Sequence, residues 1–167
     1  MTARSVSPSD RTPLARLAEG GVHAIVGYQL AQASIVTDQV FDEQVGRNGE
    51  LRRGEYTVLA LVQGNPDVTA RQLARALAVK PPQIATWLDR LEQRGLVSRT
   101  RSERDARMQH VRLTRSGSTL VQAATRRLIE AEQAALDTLS AAERAMLVEL
   151  LHKVAQARRR SEGTGEG

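Results

Sequence analysis

The sequence contains no cysteine among its 167 residues. Disulfide scaffolds, thiolate zinc sites and cysteine nucleophiles are therefore excluded. No apolar run approaches the ~20 residues of a membrane-spanning helix, and the first residues do not have the pattern of a secretory leader. We therefore expect a cytoplasmic protein that does not associate with membranes.

Aromatic residues are also scarce, since the chain has one tryptophan, two tyrosines and one phenylalanine. This is a poor inventory for a β-sandwich and is typical of a helical protein rich in alanine and leucine. The length is that of one domain that buries its own core without a stabilising metal. A mainly α-helical fold is the first expectation.

Lysine is nearly absent, because only Lys80 and Lys153 occur among the 24 basic residues. The net charge of +5 is unevenly distributed. Between Arg71 and Arg115 there are 11 basic and four acidic residues, so this segment carries +7 and the remainder carries −2. A basic segment within a nearly neutral chain is typical of a protein that binds a polyanion such as nucleic acid.

Apolar residues with a helical period predict helices in the first third of the chain. Thr12-Pro13 has the form of a helix start, and Gly20-Gly21 interrupts or ends that short helix. A long amphipathic helix is expected from Val22 to about Val45. A further helix is expected to end before Gly64-Asn65-Pro66.

Residues 69–94 have the pattern of a helix-turn-helix unit. Thr69 and Gln72 have the spacing of a capping box that opens a short helix, and Pro81-Pro82 can lie only in the first turn of the next helix. Gly95 is placed to end this second helix. The second helix has a complete apolar stripe, so Trp87 is predicted to be a core residue and not a base-stacking residue. The stripe consists of Ile84, Trp87, Leu88 and Leu91.

The hydrophobic period changes to two after Gly95, which predicts a β-hairpin. Its strands are expected at 97–100 and 108–113, joined by the charged residues 101–107. A long helix capped by Thr114 and a last helix opened by a Ser140–Glu143 capping box follow. The resulting order is four helices, two strands and two helices, which predicts a winged helix-turn-helix fold, mainly α with a small β-hairpin wing.

Three segments then identify a family resemblance. Leu88–Val97 reads LDRLEQRGLV, Asp105–Arg107 reads DAR, and Val111–Gly117 reads VRLTRSG. In combination they resemble the MarR family of bacterial transcriptional regulators, over a stretch from residue 51 to residue 154. The resemblance implies an intertwined homodimer, a wing arginine in the DNA minor groove, and a small-molecule pocket between the dimerisation helices and the winged region.

The resemblance also implies a division of the chain. Disordered tails are expected at 1–11 and 159–167. Between them we expect an N-terminal dimerisation region at 12–50, the winged helix-turn-helix region at 51–115, and C-terminal dimerisation helices at 116–158. The apolar stripes of the terminal helices support a homodimer, because one chain offers little else to cover both of them.

The second helix of the helix-turn-helix unit is expected to read double-stranded DNA in the major groove. Gln83 suits adenine, and Ala85 and the Thr86 methyl group suit thymine. Lys80 suits guanine or phosphate, and Arg90 suits phosphate. The helix departs from the common family pattern at its Lys-Pro-Pro entry, where Ser or Thr is usual, and at Thr86, where arginine is frequent. We therefore expect an individual, pseudo-palindromic operator.

The hairpin is expected to add contacts in the minor groove. The resemblance makes Arg107 the minor-groove residue and Asp105 the group that orients it. The negative potential of a narrow minor groove favours a guanidinium there, although such a charged turn can also be merely solvated. The expected DNA-binding residues are Lys80, Pro82, Gln83, Ala85, Thr86, Arg90, Arg101, Arg104, Asp105 and Arg107.

A pocket for an aromatic acid or a phenol is implied by the resemblance, with His23, Tyr28, Gln29 and Tyr56 as polar candidates for effector binding. Each is equally consistent with an ordinary core or interface residue whose hydrogen bonds are satisfied. His110 suits a phosphate contact or no function. The three histidines lack short metal-ligand spacing with carboxylates, so neither a metal site nor a cofactor is expected.

The sequence has no G-x-S-x-G, P-loop or G-x-G-x-x-G motif, so an enzyme is not expected. The favoured interpretation is a transcriptional repressor released by a small molecule. Two alternatives stay open, a ligand-independent architectural or anti-silencing DNA-binding protein and a helical adaptor that binds proteins. A specific-to-non-specific affinity ratio of ~10³ or more would select the regulator, and absence of salt-sensitive DNA binding would select the adaptor.

Overall fold

The secondary structure follows the predicted order and adds one short strand. A computed structural model of the chain describes residues 11–47, 51–101 and 109–158. No helix in these ranges is both long enough and apolar enough to cross a bilayer. The helices are α1 (Val26–Phe41), α2 (Arg53–Gly64), α3 (Ala70–Leu77), α4 (Pro81–Gln93), α5 (Arg115–Ala135) and α6 (Ala141–Gln156), and the strands are β1 (Val68–Thr69), β2 (Val97–Arg101) and β3 (Gln109–Leu113).

The region before α1 differs from the prediction of a helix at Thr12-Pro13. The Thr12 hydroxyl accepts the N–H of Leu17 at 3.0 Å and donates to the Leu14 carbonyl at 2.6 Å, which closes a turn. Such side-chain bonds to the local backbone compete with helix formation. Of the predicted tail 1–11 only Arg11 is described, in a bridge to Ala18, and the predicted tail 159–167 lies outside the described residues.

The boundaries of the first long helix also differ from the prediction. Residues Gly20–Ala24 form a 3₁₀ turn, and α1 begins only at Val26 because Ile25 is extended. Glycine is a poor helix residue, so the Gly20-Gly21 pair delays the helix. After Phe41 the chain continues as a π-helical turn over Asp42–Gly46, in which Val45 is fully buried.

The sheet is antiparallel with the strand order β1-β3-β2. The predicted hairpin is confirmed, with Val97 opposite Leu113 and Arg101 opposite Gln109. The additional strand β1 pairs Val68 with Val111. A two-residue strand has no hydrophobic period, so sequence patterns could not predict it.

The core lies between the end of α1 with the turn after it, α2, α3, α4, the sheet and the first part of α5. The predicted α4 stripe is confirmed, because Ile84, Leu88 and Leu91 are buried and the half-buried Trp87 packs against the core. Two compact units divide between Ala131 and Glu132. Residues 115–131 therefore belong to the same unit as the winged helix.

The predicted helix caps are present. Thr69 and Gln72 form a reciprocal capping box at α3, and Ser140 and Glu143 form one at α6. Thr114 accepts the N–H of Gly117 at 3.0 Å at the start of α5. Gly95 has a φ of +67° and ends α4 as predicted, since glycine adopts this left-handed conformation without steric cost.

Apolar side chains are exposed on α1 with the turn before it and on α6. No residue of α6 is buried. Surfaces of this kind normally mark an interaction site. The exposed apolar residues include Val22, Ile25, Val26, Leu30, Ile35 and Val36 in the first group and Met146, Leu147, Val148, Leu150, Leu151 and Val154 in the second.

Candidate DNA-binding surface

The first two turns of α4 present an exposed polar surface. Ile84 faces the core, and the residues around it are exposed. The Thr86 hydroxyl donates to the Pro82 carbonyl at 3.0 Å. Thr86 is nevertheless exposed as a residue. The structure brings five predicted DNA-binding residues together here, namely Lys80, Pro82, Gln83, Ala85 and Thr86.

The entry into α4 explains how the helix begins without a Ser or Thr cap. Lys80 is the N-cap residue and makes no side-chain cap bond. A capping side chain would accept from the second or third N–H of the helix. Pro82 has no N–H, and the N–H of Gln83 donates to the Lys80 carbonyl at 2.9 Å. At this Lys-Pro-Pro entry, few backbone N–H groups are therefore left for a capping side chain to bind.

Strand β2 is attached to α4 by a charged cluster. The Arg99 guanidinium forms a hydrogen-bonded ion pair with Asp89 and lies 3.4 Å from a Glu92 carboxylate oxygen. Both acidic residues belong to α4, so Arg99 connects the base of the hairpin to the helix that carries the exposed surface.

Strand β3 is attached to the turn before β1 by Asp67. The Arg112 guanidinium donates to the Asp67 carboxylate, and a ring nitrogen of His110 lies 2.6 Å from the Asp67 carbonyl oxygen. Asp67 holds a positive φ of 67°. Arg112 lowers the pKa of the Asp67 carboxyl by hydrogen bonding to its ionised form. His110 thus has a structural partner, which the sequence did not indicate.

This pair predicts a pH-dependent stability. Because the Asp67 pKa is lower in the folded than in the unfolded chain, its contribution is present above the ordinary value of 3.8 and is lost as the pH falls below it. Asp67→Asn should lower the free energy of unfolding at pH 7, and this difference should shrink at pH 3. Urea denaturation at both pH values measures it. Arg112→Gln should lose the same contribution, and equal stability of variant and parent at pH 7 would contradict the assignment.

Arg90 does not lie with the exposed residues at the start of α4. Its Nη1 atom is 3.9 Å from Oε1 of Glu55, and Arg94 Nη1 is 3.8 Å from Oε2 of the same carboxylate. Only 5% of the Glu55 side chain is exposed. Glu55 was not singled out from the sequence, because nothing local connects it to residues 35 and 39 positions further on.

The tip of the hairpin cannot be placed with the α4 surface. Arg104, Asp105 and Arg107 lie outside the described residues, and Arg101 is the last residue of β2. The strands on both sides are paired as far as Arg101 and Gln109. The contacts predicted for the hairpin therefore stay predictions.

Three of the four predicted effector residues converge on one carboxylate. His23 Nδ1 lies 2.6 Å from Glu19, the Tyr28 hydroxyl donates to Glu19 at 3.1 Å, and Gln29 Nε2 is 3.5 Å from it. The hydrogen bond with His23 lowers the pKa of Glu19. Burial raises the pKa of Tyr28, and the hydrogen bond to the Glu19 carboxylate raises it further. Glu19 was missed although His23 lies only four positions after it; Tyr28 and Gln29, nine and ten positions further on, reach it only in the folded chain.

Tyr56 is not part of this cluster. Its hydroxyl is 3.0 Å from the Thr125 hydroxyl, and its ring lies 5.8 Å from that of Phe41. The structure thus gives Tyr56 the satisfied hydrogen bond and aromatic contact of a residue that packs against the core.

Comparison with known proteins identifies the family. Residues 51–108, which contain α2 to β2 and the start of the hairpin, match the model of the MarR family. Residues 51–108 of this chain therefore form a MarR-family domain. The family and fold are those of DNA-binding transcriptional regulators and not of enzymes.

Individual relatives agree with this assignment. A relative from Thauera aromatica, assigned as a transcriptional regulatory protein for the hcr operon, is 26% identical over 141 residues, which cover 84% of this chain and 85% of that protein. The transcriptional repressor CouR, solved bound to a 23-mer DNA duplex, is 28% identical with a TM-score of 0.75, and the match covers 83% of this chain and 98% of CouR.

A second solved structure shares the fold at lower identity. BpsR of Bordetella bronchiseptica, whose DNA binding is regulated by 6-hydroxynicotinic acid, is 23% identical with a TM-score of 0.70. The match covers 79% of this chain and 94% of that chain.

Proposed function

We propose that this MarR-family protein is a sequence-specific regulator of transcription, a repressor that a small aromatic acid or phenol releases from DNA. The observation that carries the proposal is the exposed face at the start of α4, where Lys80, Gln83 and Thr86 surround the buried Ile84. The second helix of a helix-turn-helix unit presents such a face to the major groove. The charge of +7 over residues 71–115 supplies attraction to phosphate.

The residues have distinct roles in this proposal. Gln83 pairs with adenine, Ala85 and the Thr86 methyl group contact thymine methyl groups, and Lys80 binds guanine or phosphate. Pro82 fixes the helix start beside the bases. Arg101, Arg104 and Arg107 act from the hairpin with Asp105, and a phosphate contact by Arg90 stays a prediction.

We expect a homodimer that does not dissociate into stable folded monomers. The exposed apolar residues of α1 and α6 support it, because a second copy would remove them from water. The resemblance to the MarR family, which implies a homodimer, is the reason for expecting a second copy of this chain as the partner. Sedimentation at micromolar protein concentration should show a dimer, and a folded monomer under those conditions would contradict this part of the proposal.

Effector binding is proposed at the Glu19 cluster, where His23, Tyr28 and Gln29 offer polar groups to a phenol or a carboxylate. The regulation of BpsR by 6-hydroxynicotinic acid supports an aromatic acid as the class of effector. If the effector lowers the affinity of the protein for DNA, then by linkage DNA must lower the affinity of the protein for the effector by the same factor. We expect a coupling of about 1–3 kcal/mol per site.

The test is a titration of operator binding at fixed salt with a panel of aromatic acids and phenols. An effector should lower DNA affinity by about five- to 150-fold, as that coupling requires. If the dimer neutralises about eight phosphates, the logarithm of the affinity should fall with the logarithm of salt at a slope of roughly −7. Equal binding to random DNA without any response to effectors would instead favour the architectural alternative.

A further inference from the structure

Trp87, the single tryptophan of the chain, packs directly on the backbone of α2. A Cβ atom added to Gly54, in the first turn of α2, would lie 2.5 Å from Cζ2 and 2.6 Å from Cη2 of the indole ring. This is well inside the contact distance of two carbon atoms, so only glycine permits the ring to lie here. The half-buried ring also packs against the core. Gly54 and Trp87 therefore form a close contact between α2 and α4.

The same turn of α2 holds two further residues of α4. Glu55 lies 3.9 Å from Arg90 and 3.8 Å from Arg94. Trp87, Arg90 and Arg94 are spaced by three and four positions, so they lie on one face of α4. The two ion pairs are longer than hydrogen bonds, whereas an aromatic ring contributes a large packing surface. We therefore regard the indole ring as the main contact that holds this face of α4 on α2.

The residue before Gly54 contacts the last turn of α1. The Arg53 guanidinium lies 2.6 Å from a carboxylate oxygen of Asp38 and donates to the Asp38 carbonyl at 3.3 Å. Its central carbon is 4.7 Å from the centre of the Phe41 ring, which is the distance of a cation–π contact. Two consecutive residues of α2 thus contact α1 and α4 respectively.

We propose that Trp87 is a positioning residue for DNA recognition, which together with Gly54 fixes how α4 lies on α2 and, through Arg53, relative to α1. Trp87 directly follows Thr86 and lies about one helical turn after Gln83. Both neighbours are residues to which the proposed function assigns base contacts. A displacement of the ring would therefore displace both of them, and in this respect the inference rests on the proposed function.

The first test compares the affinities of variants for a labelled DNA duplex that the parent protein selects from a random pool, by fluorescence anisotropy. All proteins are measured at a temperature at which thermal unfolding shows them to be fully folded. Gly54→Ala should weaken binding about tenfold, within the range of coupling between residues in contact. Gly64→Ala is the matched control on the same helix, because a Cβ there would meet nothing within 4 Å, and it should leave the affinity unchanged.

A second substitution separates positioning from general destabilisation. Trp87→Phe removes the outer ring that a Cβ at residue 54 would strike. In the Trp87→Phe background, Gly54→Ala should therefore weaken DNA binding by no more than about twofold, the usual limit of additivity. Equal losses in both backgrounds would contradict the inference.

Trp87→Phe alone also tests the role of the ring if Gly54→Ala does not fold. It introduces no steric conflict and should weaken DNA binding several-fold in a fully folded protein. If Trp87→Phe only lowers the melting temperature and the folded protein binds the duplex as tightly as the parent does, the role of the ring is merely structural and the inference is overturned.

Fluorescence of the single tryptophan tests the arrangement without DNA. Gly54→Ala forces the ring away from α2, and Arg53→Gln removes the contacts with α1. Both should increase the quenching of Trp87 emission by acrylamide, whereas Arg126→Gln, an exposed change on α5, should not. Unchanged quenching in either variant would overturn the inference. If the parent protein selects no duplex while quenching responds as expected, the proposed function fails and the positioning of α4 by these residues is still supported.

Discussion

Gly117→Ala is expected to destabilise the fold by about 3 kcal/mol or more, the upper range for overpacking a core. A Cβ at this position would lie 1.9 Å from the carbonyl oxygen of Leu96. That contact is with backbone, so no side-chain rotation relieves it. The Leu96 carbonyl also accepts the N–H of Thr114 at 3.1 Å, so displacing it disrupts the start of α5.

Thermal unfolding at fixed protein concentration measures this effect. A loss of that size corresponds to a fall in Tm of about 10 °C for a chain of this length. Gly64→Ala is the matched control, because a Cβ at this exposed helix end meets nothing within 4 Å. It should change the stability by no more than about 1 kcal/mol. A Gly117→Ala protein as stable as the parent would show that the helix and the Leu96 loop separate freely.

Arg107→Ala is expected to weaken operator binding by several-fold to a hundredfold, about 1–3 kcal/mol, without lowering the melting temperature. The segment 102–108 joins the last pair of the hairpin, Arg101 and Gln109. Five of the seven residues 101–107 are charged, a composition that is not typical of a core, and the electrostatic attraction of a narrow minor groove favours an arginine at DNA. Unchanged affinity for the operator would show that the hairpin does not contribute to DNA binding through Arg107.

Two further variants make the Arg107 experiment specific. Asp105→Ala should weaken binding less than Arg107→Ala, since it affects only the orientation of the arginine. Lys153→Ala is the control, because it removes one positive charge from the exposed surface of α6, outside the basic segment. It should leave the affinity nearly unchanged, because Lys153 is already paired with Glu149.

Short-range sequence patterns correctly predicted several helices and the hairpin. The α4 stripe, the two capping boxes and the hairpin all depend on residues within one turn or one strand of each other, and the structure confirms them. The predicted helix at Thr12 was wrong because a threonine hydroxyl satisfied the backbone of a turn instead. Helix propensity does not include that competition.

Residues that act across the fold could not be predicted in the same way. Glu19 also contacts Tyr28 and Gln29, which lie nine and ten positions further along the chain, so no short-range pattern connects them to it. Arg90 was assigned to phosphate because it is basic and lies on the second helix of the unit. The nearly buried Glu55, 35 positions earlier, is what determines where its guanidinium lies. The family resemblance named the fold and the type of function, whereas the charged contacts become visible only in the structure.

The two prolines at the start of α4 have a consequence for how the protein captures DNA. A helix normally offers its first free amide hydrogens to a phosphate, and Pro81 and Pro82 have none to offer. Phosphate capture at this end must therefore depend on charged side chains such as Lys80. In return, the fixed proline φ angles preorganise the leading turn before DNA arrives, so little conformational entropy is lost on association. DNA therefore binds to a first helical turn that is already rigid, and not to a frayed helix end.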